Sequence, residues 1–251
     1  MSNPILNEAI FSPQAQFLDG EPMTIQGTIN KVFLLFVCLL AGCALSVYYL
    51  LSNPAIAIVL MLAGGFVTFI LVLITYLSVK SAKYLAAPYA LFEGFTLGAL
   101  SAFFETIYHG IVIQAVLATF VVLFIMLGLY KARIIQYTKK FRTILITSIL
   151  SILALYIIQI ITMFFPKNIF LLIWGNGMFG IALRLFMIII AAMSLIPDFA
   201  FIESYSKKKL SKDYEWLGAM GLMITLIWLY TEILKLLARL NSKKYRFLNN
   251  K

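Results

Sequence analysis

Seven long apolar runs, separated by short polar or basic connections, make up nearly the whole chain. They cover about residues 32–51, 55–79, 86–106, 110–130, 144–165, 178–202 and 216–238. A helix needs roughly 20 apolar residues to cross the hydrocarbon of a bilayer, and each run is about that long. Spanning strands do not fit, because a membrane barrel alternates polar and apolar positions and these runs are solidly apolar. The breaks carry turn or headgroup chemistry: Ser52-Asn53-Pro54, Lys80 to Lys83, His109-Gly110, Lys131 to Arg142, Pro166-Lys167-Asn168 and Lys207 to Asp213. The pattern predicts an all-α integral membrane protein with seven transmembrane helices. A polar N-terminal tail over residues 1–30 precedes a membrane domain over 31–240, and a basic tail over 241–251 follows.

Composition agrees. Hydrophobic residues make up 63% of the chain, charged residues 12%, and the mean hydropathy is +0.98; soluble domains carry about 25% charged residues. The net charge of +10 would point to nucleic acid only on a soluble fold with a basic face. Here the cations sit between apolar runs, where they anchor to lipid headgroups and set orientation. The expected partner is the lipid bilayer, with no nucleic acid. Cys38 and Cys43, five residues apart on one helix, lie roughly 8 Å apart on different faces, beyond disulfide reach. The first thirty residues hold Glu8, Asp19 and Glu21 but no Lys or Arg. A signal peptide needs a basic start, so this is a retained tail.

The cations also fix a direction. The second, fourth and sixth connections hold eleven (Lys80, Lys83, Lys131, Arg133, Lys139, Lys140, Arg142, Lys207, Lys208, Lys209 and Lys212), and the odd connections hold only Lys167. Positive connections stay inside, so the N-terminus is expected on the cytoplasmic side of the inner membrane. Seven crossings then leave the C-terminus, with Lys243, Lys244, Arg246 and Lys251, outside. A re-entrant last segment would keep that tail inside.

A charge at the bilayer centre costs upwards of about 2.5 kcal/mol, so intramembrane ionisable residues are functional candidates. They are Glu93, Glu105, Arg184, Asp198 and Glu232. Counted from the ends of their runs, Asp198 and Glu93 lie roughly 7 and 10 Å inside the same face. Two carboxylates in one low-dielectric site cannot both ionise cheaply; one keeps a proton, or they hold a cation. Alternatively, each faces water or headgroups separately. Pro197 removes a helix hydrogen bond and frees the Met193 carbonyl, an oxygen that suits a hard cation, or it simply kinks a helix end. Arg184 and Glu232 match in depth near the other face and form a candidate gating ion pair, although Lys235 stands three residues from Glu232 and competes for it. Glu105, beside His109, is a candidate rim carboxylate. Gly94 and Gly98 mark a close helix approach directly after Glu93.

Catalytic chemistry has no visible apparatus. There is no HExxH pair, no GxSG serine with a neighbouring histidine, no phosphate-binding glycine loop and no paired CxxC. The expectation is a protein that is not an enzyme and binds no cofactor or metal tightly.

Several segments in order resemble a known family. They are Met23-Thr24-Ile25-Gln26-Gly27-Thr28-Ile29-Asn30-Lys31, Ala90-Leu91-Phe92-Glu93-Gly94-Phe95, Ser101-Ala102-Phe103-Phe104-Glu105 and Gln114-Ala115-Val116-Leu117-Ala118-Thr119-Phe120. Tyr130-Lys131, Asp198-Phe199-Ala200-Phe201-Ile202-Glu203 and Glu215-Trp216 complete the set. Together they resemble the bacterial branch of the Bax-inhibitor/YccA (transmembrane Bax inhibitor motif) membrane family. The resemblance implies six helices surrounding the seventh. It also implies pH-sensitive calcium leak, suppression of cell death in eukaryotes, and binding of a membrane protease in bacteria. The family's pH sensor is a pair of aspartates on the sixth and seventh helices. The first matches Asp198, but Thr225 occupies the second position and Glu232 lies two turns further on. The depth argument offers Glu93 as the alternative partner. The expected function is a pH-modulated cation leak channel gated by intramembrane carboxylates, with transient Ca2+; the alternative is a non-enzymatic partner of a membrane protease or quality-control complex.

Overall fold

The computed structural model describes residues 21–162 and 178–249. Glu8 and Asp19 of the N-terminal tail, the end of the fifth run, the Pro166-Lys167-Asn168 connection and Lys251 lie outside the described residues. The helices are α1 (Ile25–Ser52), α2 (Pro54–Leu77), α3 (Ala82–Ile107), α4 (Ile111–Lys131), α5 (Lys139–Thr162), α6 (Met178–Met193), α7 (Leu195–Lys207) and α8 (Asp213–Asn249). Seven stretches among the described residues are long and apolar enough to cross a bilayer, with α6 and α7 following one another as a single span, Met178–Lys207.

The first helix shows why these sequences fold as they do in lipid. Thr24 caps α1, its hydroxyl accepting from the Gly27 amide at 2.9 Å, which satisfies a donor that a helix start leaves orphaned. Thr28, Leu35, Leu39, Gly42 and Ser46 then form one buried stripe. Phe33, Val37 and Leu40 point outward and are more than half exposed. In water the outer face of a helix is polar. Apolar residues on both faces fit a hydrocarbon solvent, in which the helix satisfies its own backbone. The last span is the most buried, with 72% of its apolar window buried against 11–44% for the others.

Helix ends differ from the hydropathy limits. The first helix starts at Ile25 rather than near residue 32, the third at Ala82 rather than 86, and the sixth span ends at Lys207 rather than 202. The last helix runs unbroken to Asn249, so most of the basic stretch from residue 241 is helix rather than tail. A hydropathy window closes where polar residues begin. The backbone hydrogen bonds have no such limit, and long polar side chains at a helix end reach headgroups and water.

The chain divides into two compact units. Among the described residues, one joins residues 21–107 with Pro197–Thr225; the other joins residues 108–162 and 178–196 with residues 226–249. In the first, α3 is clasped by α1 and α2 through missing side chains. A Cβ at Gly98 would stand 2.7 Å from the Cys43 backbone, and one at Gly94 would collide with the Leu39 carbonyl. Ser46 Oγ donates to the Phe95 carbonyl at 2.8 Å, and Thr96 Oγ1 to the Met61 carbonyl at 3.2 Å. In the second unit, Leu145, Ile152, Met187 and Ile190 form a core covered by Phe141, Tyr156, Leu183 and Trp228.

Candidate functional site

The sixth span breaks where the sequence requires it. Proline lacks an N–H, and its ring collides with the carbonyl four residues back; for Pro197 that carbonyl is Met193, the last residue of α6. Ser194 turns the chain, its amide and hydroxyl both donating to the Ile190 carbonyl at 2.9 Å. The chain re-enters helix at Leu195, so Pro197 lies in the first turn of α7, where backbone donors lack helical partners anyway. Asp198 follows it, fully buried, at the helix end where the macrodipole favours negative charge.

Glu93 lies mid-way along α3, half-buried. Asp198 is nine residues from Lys207 and Glu93 eleven residues from Ala82, or about 14 and 17 Å along their helices. Cys43 of α1 and Tyr89 of α3 lie close enough to Glu93 to feel its charge, and Thr68 of α2 donates its hydroxyl to the Gly65 carbonyl at 3.1 Å. The GxxxG pair beside Glu93 serves the approach of α1. Glu105 is half-buried in the last turn of α3.

In the second unit Arg184 of α6 and Glu232 of α8 are in contact. Arg184 Nη1 donates to Glu232 Oε2 at 2.7 Å, with side chains 8% and 0% exposed. Tyr156 of α5 donates to Glu232 Oε1 at 2.7 Å, and Lys235 Nζ reaches the same oxygen at 3.2 Å. One carboxylate thus gathers two cations and a hydroxyl from three helices. Thr225 is buried and donates to the Gly221 carbonyl of its own helix at 3.3 Å. Among the described residues no three His, Cys, Asp or Glu side chains gather closely enough to hold a metal ion.

A further ionic site, absent from the sequence-based candidates, links residues 191 positions apart. Glu215, 1% exposed, accepts from Thr24 N at 2.8 Å, from Thr24 Oγ1 at 3.0 Å and from Lys31 Nζ. Lys31 also lies over the Trp216 ring, 5.3 Å from its centroid. Gly27 is required because any Cβ there would strike the Glu215 carboxylate. The segment before α1 is strapped to the α7–α8 connection: Met23 N donates to the Leu210 carbonyl at 2.6 Å and Lys212 N to that of Glu21 at 3.0 Å. Glu21, Thr24, Gly27, Lys31, Lys212 and Glu215 help to line a cleft of about 410 Å³.

Glu21 and Lys212 close the strap with a solvent-exposed ion pair. The Lys212 ammonium holds the Glu21 carboxyl below its ordinary value of 4.5, and Glu21, with a smaller contribution from Glu215, holds Lys212 above its ordinary 10.5. The Glu21 contribution is complete above 4.5 and lost as pH falls through its lowered value; that of Lys212 is complete below 10.5 and lost as pH rises through its raised value. The strap is therefore latched at neutral pH. Hydrogen exchange at Met23 and Lys212 should quicken on acidification below the carboxylate range and at high salt, which screens exposed pairs. Protection unchanged by acid and salt would mean that the pair contributes nothing.

Fold and site together define a polytopic helical membrane protein with buried ionic groups in both of its compact units. The chain belongs to the Bax inhibitor 1 like family, whose family model matches residues 3–242. No curated protein and no solved structure matches it.

Proposed function

We propose that the chain is a pH-modulated cation leak of the membrane, with calcium as the cation and Asp198 as the titrating group. The observation that carries this reading is the complete burial of Asp198 at a broken span. Broken helices at membrane depth are tolerated where the backbone is buried in protein or lines a cavity, and buried carboxylates mark ion and proton pathways. Protonation changes the charge at the break by one unit and biases the local conformation of the chain around Asp198. Glu93 adds a second carboxylate in the same unit as Asp198, an oxygen donor suited to a hard cation. The Arg184–Glu232 pair holds the second unit and serves as a gating staple. The charge count supports a cytoplasmic N-terminus.

Purified protein in calcium-loaded liposomes tests this reading. Efflux above that of protein-free liposomes, changing with pH, is expected. Folded protein that passes no cation at any pH overturns the reading and favours a non-enzymatic modulator of a membrane protease or quality-control complex. That role requires a stable partner, recoverable by crosslinking in native membranes.

A further inference from the structure

We propose that the connection between α4 and α5 is a binding surface for the headgroups of anionic phospholipids. Residues 131–142 hold Lys131, Arg133, Lys139, Lys140 and Arg142 and no Asp or Glu. Lys131, Arg133, Lys139 and Lys140 are all exposed. The α7–α8 connection holds four cations, three of which are answered internally: Lys207 pairs with Glu203, Lys212 with Glu21, and Lys208 lies over the Tyr205 ring. The α4–α5 connection holds more cations than any other connection and no acidic residue of its own.

Its local structure adds to that excess. Lys139 and Lys140 open α5, whose first turn carries no acidic residue. A helix start already bears the positive end of the macrodipole, so cations there repel it and one another. Natural helices favour acidic residues at this position, and an anion from outside relieves both repulsions. Lys139, Lys140, Thr143 and Ile144 line a shallow cleft of about 380 Å³, which offers a phosphate two ammonium groups, a hydroxyl and an apolar wall.

The partner is lipid rather than a soluble polyanion because of what stands beside the cations. Arg133 adopts a left-handed backbone, φ 57°, at the end of α4. The amides of Ile134 and Ile135 then fold back on the Leu129 carbonyl at 3.0 and 3.3 Å. This turn leaves the Ile134 side chain 70% exposed between cations, in a connection whose two ends both continue into membrane spans. An exposed isoleucine among lysines at the bilayer surface is the arrangement that inserts between acyl chains while the ammonium groups meet phosphates.

The test is the lipid retained by the full chain after extraction from vesicles of mixed phosphatidylcholine and phosphatidylglycerol. The wild type is expected to retain phosphatidylglycerol above its bulk fraction, and added salt to lower the enrichment. Lys139→Gln with Lys140→Gln should reduce it about fivefold or more, since each juxtamembrane cation favours anionic lipid by roughly that factor. Lys139→Arg with Lys140→Arg should retain it, as should Lys207→Gln with Lys208→Gln on the other connection. Inorganic phosphate at equal ionic strength to a chloride control should not displace the lipid. Enrichment unaffected by the glutamine pair, or lost equally in the Lys207/Lys208 variant, or displaced by free phosphate, would overturn the proposal. Should the glutamine pair fail to fold, salt-independent enrichment in the wild type overturns it equally.

Discussion

Glu232→Leu is expected to destabilise the protein by about 3–5 kcal/mol, the loss that follows when one partner of a buried ion pair is removed. Arg184 is only 7% exposed; without Glu232 its guanidinium stays in a low-dielectric interior with Lys235 nearby as a like charge. Tyr156 loses the same acceptor. Glu232→Gln is milder, because an amide oxygen still accepts from Tyr156 while the charge attraction is lost. The double variant Arg184→Met/Glu232→Leu should recover much of the stability, since replacing both ions by apolar groups of similar volume is often neutral. A double-mutant cycle on the detergent-solubilised protein, read by thermal unfolding, measures the coupling. Single losses that simply add in the double variant would show that the pair does not hold α5, α6 and α8 together.

Gly94→Ala should cost about 1–3 kcal/mol, the range for forcing extra volume into a packed interface. The added methyl meets the Leu39 carbonyl and the Gly42 Cα. These are backbone atoms that no rotamer change can move aside, so α1 and α3 must separate. Separation breaks the Ser46–Phe95 hydrogen bond and disturbs the packing around Glu93. Gly128→Ala is the control. A methyl there meets nothing within 4 Å, and alanine is the better helix former by about 1 kcal/mol, so this variant should be neutral or slightly stabilising. Equal losses at the two glycines would mean that close helix approach is not what Gly94 provides.

The spans were legible in the sequence because hydrocarbon demands long apolar runs, and nothing else in a soluble context produces seven of them. Their ends were less legible. Thr24 to Asn30 and Asn241 to Asn249 read as polar tail, yet α1 and α8 include nearly all of them, since helix continuation depends on backbone bonds and caps. Counting depth along a helix placed Arg184 and Glu232 at one level, and the structure has them 2.7 Å apart. The same counting puts Glu93 and Asp198 at one level, and both belong to the same compact unit. Depth follows from residue number; the direction a side chain faces depends on which helices are neighbours, and hydropathy carries no record of that. Glu215, named only within the family resemblance, is not among the buried-charge candidates for a related reason. It sits at the start of an apolar run, where a carboxylate looks solvated. Its partners Thr24 and Lys31 are nearly two hundred residues away, and only the Thr-x-x-Gly cap with a lysine one turn on hinted at a buried anion.

The proposed function stands or falls on Asp198. Calcium efflux from liposomes containing Asp198→Asn, measured across the pH range over which the wild type changes its rate, tests it most directly. Asparagine keeps the size of the side chain but cannot titrate, so the account predicts a rate that no longer varies with pH. A variant that folds normally and retains the wild-type pH profile would contradict it.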